Sequence, residues 1–438
     1  MTKEAPHTLF TNVNIFDGLH DRLTAGDVLI EDSMIKAVGN DVQAPEGATV
    51  IDGGARTLMP GLIDSHVHFN INVGRNVPEL DATTWEEIGA RAAYAAQEHF
   101  SMGYTTVRDM GGMHTGLKKT IDADYLVGPR IYAAGGFISQ TAGHGDFRAP
   151  SQYNATQNNL VRLGVARIVD GRAEVLRAVR ENFSLGAHYV KIMISGGVTS
   201  RKDPMYASQF TDDEISAAIE VAKSYGTYAT AHVFKDEDIN RGLDLGLKCI
   251  DHGHYLTEET MERIKEQGIF FSPNITALSD KVWEHPFYQD KSNPSYPKLV
   301  FTRKKSAQLC DHIRKIKPKL VFDSDFVLLA GVPFRQSMDY AIWYCAEQFG
   351  NFETLKSMTS TGGELCALTG PHNPYPEGKL GVIESGAYAD ILLVDGNPLE
   401  DIRAIGANPE WFNAAPRDQD VASIRLIMKN GKVYKNTL

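Results

Sequence analysis

The sequence predicts an α/β protein: a (β/α)8 TIM barrel carrying a small β-sandwich domain formed from both chain ends. Three observations predict it. Short apolar runs alternate with helical stretches through the middle of the chain. Both ends read instead as strands separated by turns. The 438 residues exceed one ordinary domain, but suit a barrel of about 250 residues or more with a smaller companion.

In chain order, residues 8–16, 27–30, 35–38 and 49–52 read as strands, punctuated by Asp17-Gly18 and Asp52-Gly53-Gly54. Eight apolar runs then follow, at 62–67, 105–108, 130–135, 189–194, 228–232, 249–252, 269–272 and 320–322. Between them lie helical stretches such as 85–102, 173–185, 212–225 and 258–266. Thr211 followed by Asp212-Asp213-Glu214 is a capping-box start, and Gly226 is a suitable stop. Strands alternating with helices mean a parallel sheet, and eight such units suggest a closed barrel. A doubly wound open sheet is the structural alternative. At the far end, 389–394 and 424–428 are apolar, and Asn430-Gly431 is a hairpin turn before Lys432-Val433-Tyr434. Neither end alone makes a convincing core. Residues 1–60 and 376–438 are therefore expected to pair into one small domain, with 61–375 as the barrel.

Composition narrows the function. Hydrophobic residues are 42% and charged residues 23%, as in ordinary soluble proteins. A net charge of −11 disfavours a nucleic-acid binder. No run approaches the roughly 20 apolar residues of a membrane span, and the start lacks a signal-peptide core. The four cysteines are dispersed, with no CxxC, which argues against disulfides and thiolate zinc and leads to the expectation of a cytoplasmic protein.

The 14 histidines matter by position. Barrel active sites lie at the C-terminal ends of the strands. His66 and His68 end the first barrel strand, and strand alternation points i and i+2 the same way. His232 ends the fifth run and His252 the sixth, while Asp323 and Asp325 follow the eighth. A lone HxH is usually no metal site. Four imidazoles and a carboxylate, all at strand ends, form a zinc-type donor set.

Lys191 sits in a strand that should be buried on both sides. A buried ammonium is costly without a partner. Two readings stay open: a carbamate formed with carbon dioxide, able to bridge two metals, or an ammonium paired with a carboxylate.

The chain resembles the metal-dependent amidohydrolase superfamily in its binuclear, carbamylated-lysine branch, and within it the Xaa-Pro dipeptidase, zinc carboxypeptidase and ochratoxinase-like group. The residues carrying the resemblance are Met59-Pro60-Gly61-Leu62-Ile63-Asp64-Ser65-His66-Val67-His68, Gly103-Tyr104-Thr105-Thr106-Val107-Arg108-Asp109, Gln140-Thr141-Ala142-Gly143-His144-Gly145-Asp146, Val190-Lys191-Ile192-Met193-Ile194-Ser195-Gly196-Gly197 and Glu384-Ser385-Gly386-Ala387-Tyr388-Ala389-Asp390. They span nearly the whole chain. The resemblance implies two divalent metals, zinc by preference, with His66, His68 and Asp325 on one, His232 and His252 on the other, and carbamylated Lys191 between. It implies amide C–N hydrolysis of a dipeptide or N-acyl amino acid by a bridging hydroxide, with Asp325 moving the proton. The family usually has Gly where this chain has Asp323. A cyclic, urea-like or xenobiotic amide is the alternative substrate, and a non-catalytic barrel scaffold the alternative of another class. Assembly into a homo-oligomer is a common family arrangement.

Other residues are weighed beside these. His144 matches a family histidine placed near substrate; otherwise it is a solvated loop residue. Arg201, with Lys202, could bind a substrate carboxylate or belong to an ordinary loop. His254 and Tyr255 are candidate substrate contacts or supports behind the ligands. Residues 334–349 read as a helix packed on the barrel, with an aromatic pocket as the alternative. The aromatic-rich stretch 279–297 is long for a connection and is read as a lid.

Overall fold

The computed structural model describes residues 6–71, 77–112, 115–149, 151, 152, 154 and 158–438, the side chains of 77, 78 and 287 excepted. The N-terminal strands are β1 (His7–Ile15), β2 (Thr24–Glu31), β3 (Met34–Gly39), β4 (Thr49–Asp52) and β5 (Thr57–Pro60). β1 changes partner part-way along. Thr8–Thr11 run parallel to β4, and Asn14 and Ile15 run parallel to β5. The switch occurs at a bulge, where Asn12 has φ 53°. At the other end, β16 (Ile391–Val394), β17 (Ile424–Lys429) and β18 (Lys432–Asn436) add to β5 in antiparallel order. Asn430 and Gly431 both have positive φ, the geometry a two-residue hairpin requires. Both chain ends thus pair as expected. They do so as one hydrogen-bonded sheet of order β18-β17-β16-β5-β1-β2-β3, with β4 beside β1, and not as two separately bonded sheets of a sandwich. The cause is β1, which serves two neighbours on one edge. Phe10, Val28, Leu58, Leu393 and Leu426 form the core beneath it.

The middle of the chain supplies β6 (Leu62–Val67), β7 (Tyr104–Asp109), β8 (Arg130–Ala133), β9 (Phe137–Ser139), β10 (Ala166–Ile168), β11 (Val190–Met193), β12 (Ala229–Val233), β13 (Cys249–His252), β14 (Phe270–Ser272) and β15 (Lys319–Leu320). All pair in parallel, as β6-β7-β8 and β10-β9-β11-β12-β13-β14-β15. β9 and β10 are additions that the apolar pattern did not single out. Backbone bonds also join the two groups. His188 N donates to Ala133 O (2.8 Å) and Ser65 N to Phe322 O (2.9 Å). Helices Trp85–Ser101, Arg172–Ser184, Asp212–Ser224 and Glu258–Glu266 lie within a residue of expectation. The capping box of Thr211 and Glu214 is formed.

Residues 334–349 lie in the helix Val332–Phe349, which buries Phe334, Met338, Ile342 and Cys345, as the packing reading expects. The stretch 279–297 is not structureless. It holds a 3-10 turn (Asp280–Glu284), a short helix (Pro286–Gln289) and the start of the helix Ser295–Lys305. Among the described residues, no helix is long and apolar enough to cross a membrane.

Arg130 of β8 ties the parallel strands to the end sheet. Its guanidinium pairs with Asp390 (Nε–Oδ2 2.8 Å) and lies 3.8 Å from the Tyr388 ring centre, with Arg130 2% exposed. Arg130→Ala leaves Asp390 buried and unpaired, and should cost about 3–5 kcal/mol of stability, read by urea unfolding.

Candidate metal centre

The site is assembled from strand ends. His66 lies in β6 and His68 directly after it, their Nε2 atoms 3.3 Å apart. Asp325 Oδ1 lies 3.5 Å from His66 Nε2 and 3.7 Å from His68 Nε2. Asp325 N donates to His66 O (3.0 Å), which pins the segment after β15 to β6. One donor atom from each of these three residues falls within 4.8 Å of the others.

His252, at the end of β13, brings Nδ1 to 4.0 Å from Asp325 Oδ2. Its ring centre is 5.2 Å from that of His66 and 4.6 Å from that of His232 in β12. His68 Nδ1 faces Gly111 O (3.1 Å) and His232 Nε2 faces Gly196 O (3.4 Å). Each contact uses one ring nitrogen as donor and leaves the other as a free acceptor. Burial pushes the His66 imidazole down to about 4 and holds His68, His232 and His252 well below the ordinary histidine range. These rings are neutral at pH 7, with lone pairs available. Burial pushes the Asp325 carboxyl up to about 6, and that of Asp323 well above the carboxylate range. Neutral nitrogen donors and carboxyl groups in one cluster fit a divalent cation.

Lys191 of β11 lines the same cavity, but its Nζ pairs with Asp251 Oδ2 at 2.7 Å. Asp251 also receives Arg108 (2.9 Å) and Thr230 (2.7 Å). Burial alone would raise the Asp251 carboxyl; the Lys191 and Arg108 charges hold it well below its usual value. Sequence reasoning overlooked Asp251. Its signal was present: three charged residues in buried parallel strands have to satisfy one another.

His144 is buried, not solvated. Its ring stacks on His232, with centres 4.1 Å apart. Its Nδ1 lies 2.8 Å from Ser200 Oγ and 3.2 Å from Asp203 Oδ2. A side chain on Gly197 would collide with this ring, so the close approach requires glycine there. Asp203 was also overlooked. It accepts from Gly197 N (2.7 Å) and faces Lys298 (3.4 Å), which reaches down from the helix Ser295–Lys305.

Two of the candidate substrate contacts lie off the cavity wall. Arg201 is exposed and does not line the cavity. Its loop turns inward to deliver Asp203, which leaves residue 201 facing solvent, while Lys202 lies 3.8 Å from Asp146. Tyr255 is not on the cavity wall either, although its hydroxyl bonds Thr302 (2.8 Å), which is. His254 does line the cavity and donates Nε2–H to Pro273 O (2.5 Å).

His66, His68, His144, Lys191, His232, His252, His254 and Asp325 open onto a cavity of about 1040 Å³. Its upper wall includes Val282, His285 and Tyr288 from the stretch read as a lid.

Residues 57–434 match the model of the amidohydrolase family. The chain belongs to that family. Ochratoxinase of Aspergillus niger is 27% identical over 99% of this chain and 88% of its own length. Its crystal structure superposes with a TM-score of 0.82, covering 99% of this chain and 96% of that one. A prolidase solved with N-methylphosphonate-L-proline is 30% identical with a TM-score of 0.85, covering 98% and 100%. A Xaa-Pro dipeptidase with bound methionine is 28% identical with a TM-score of 0.78, again over 98% and 100%. This is the group the motifs pointed to. The amidohydrolase is thus an enzyme, a hydrolase acting on amide-type C–N bonds.

Proposed function

We propose that this amidohydrolase is a binuclear zinc hydrolase that cleaves the amide bond of a dipeptide or N-acyl amino acid bearing bulky apolar groups. The observation that carries the reading is the convergence of four neutral imidazoles, Asp325 and Lys191 on one buried cavity. His66, His68 and Asp325 would hold one ion, and His232 and His252 the other. Lys191, once carbamylated, would exchange its ammonium for an anion between them. The ions would polarise the scissile carbonyl and lower the pKa of water toward neutrality.

The protein's own residues do the rest. Asp325 takes a proton from the attacking water and passes it to the departing amine nitrogen. His144, held by Asp203 against His232, orients the substrate beside the ligands. Two separate apolar clusters reach the cavity wall, one with Phe137, Leu80 and Leu160, the other with Val282, Leu299 and Trp411. They suit apolar groups on the substrate. The stretch 279–297 acts as a lid over them.

This reading takes the parallel strands as a (β/α)8 barrel over 61–375. Residues 1–60 and 376–438 then form the small domain. The bonds joining Ser65 to Phe322 and His188 to Ala133 support closure.

Zinc-loaded protein screened against N-acyl amino acids, Xaa-Pro and other dipeptides, and aryl amides should hydrolyse those with large apolar groups best. No turnover of any of them with two zinc ions bound would overturn the reading.

A further inference from the structure

Asp323 lies on the other side of His66 from the position that a cation held by His68 and Asp325 would take. The Nε2 edge of His66 faces His68 and Asp325. Its Nδ1 edge faces Asp323, whose Oδ2 is 3.2 Å away. Both side chains are 1% exposed. Neither His66 Nδ1 nor Asp323 Oδ1 has an aligned hydrogen-bond partner among the described residues. The other carboxylate within reach is that of Asp251, 3.8 Å from Nδ1. Its oxygens are already taken by Arg108, Lys191 and Thr230. Asp323 is therefore the acceptor left for that nitrogen.

The carboxylate is also held firmly in place. Ser272 Oγ, at the end of β14, donates to Asp323 Oδ2 at 2.8 Å. On one side of Asp323, Phe322 O accepts from Ser65 N; on the other, Asp325 N donates to His66 O. The backbone on both sides of Asp323 is thus clamped to the backbone beside His66.

We propose that Asp323 is a positioning residue that accepts the Nδ1 proton of His66 and so aims His66 Nε2 at the cation. An imidazole that binds a cation through Nε2 must carry its proton on Nδ1, and the cation makes that N–H a stronger donor. An acceptor oxygen behind the ring fixes both the tautomer and the ring plane. Ser272 in turn orients Asp323. The inference rests on the metal reading above, and its test keeps the two apart.

The test measures zinc affinity by competition with a chromophoric chelator, using the full chain. Wild type should bind two equivalents. Asp323→Asn should weaken one equivalent by about 10–100-fold and spare the other. Ser272→Ala should weaken the same equivalent by a smaller factor. The zinc-induced rise in Tm should shrink in both variants, while the Tm of the zinc-free protein changes little. Two equivalents bound by Asp323→Asn with native affinity, or both weakened equally, overturns the positioning role. If Asp323→Asn does not fold, native affinity in Ser272→Ala overturns it. A wild type that binds no zinc overturns the metal reading instead, and the inference falls with it.

Discussion

Lys191→Ala should lower kcat by about a thousandfold or more and leave the protein with at most one tightly held metal ion. A lost ion forfeits several kcal/mol of transition-state stabilisation, at about 1.4 kcal/mol per tenfold in rate. Elemental analysis and turnover read the two effects together. Adding a short carboxylate such as formate should restore part of both, by supplying the missing anion. The ion pair of Lys191 with Asp251 makes a competing prediction. If that pair were the whole role of Lys191, its loss would destabilise the fold by about 3–5 kcal/mol, and added carboxylate would do nothing. Two metals and full activity in Lys191→Ala without added carboxylate would sink the bridging role.

Asp325→Asn should lower kcat by about 10²–10⁴-fold with little change in KM, because it removes the group that moves the proton. His66, His68, His232 and His252 all remain in this variant, so metal should be retained at reduced affinity. Steady-state kinetics at saturating zinc separates the two losses. A kcat within about threefold of wild type would assign the proton transfer to another group, since general acid–base catalysis contributes at least about a hundredfold.

The legible part of this site was the part tied to strand ends. His66, His68, His232 and His252 could be placed from apolar runs alone, since a strand fixes both where a side chain sits and which way it faces. The resemblance favoured Asp325 over Asp323, where the family usually has Gly, and the structure puts Asp325 with the two histidines and Asp323 behind one of them. Asp203 and Asp251 were missed for different reasons. Asp203 lies on a loop whose path depends on Gly197 passing under His144, a tertiary contact without local pattern. Asp251 sits beside His252 and drew no notice of its own. The turn that buries residue 203 also exposes residue 201. The end sheet shows the same limit. Most of its strands were readable one by one, but β5 was not, and the switch of β1 between β4 and β5 depends on one bulge, which hydropathy does not mark.

The pairing of β5 with β16 sets an order of events during synthesis. Leu58 lies opposite Leu393 and Met59 opposite Leu392. β5 therefore leaves the ribosome with one edge open, and that edge stays open until every parallel strand has been made. An open, apolar edge invites pairing with other chains. A nascent chain stalled before Ile391 should thus be prone to aggregate through its earliest strands, although every residue of the candidate metal centre has been synthesised.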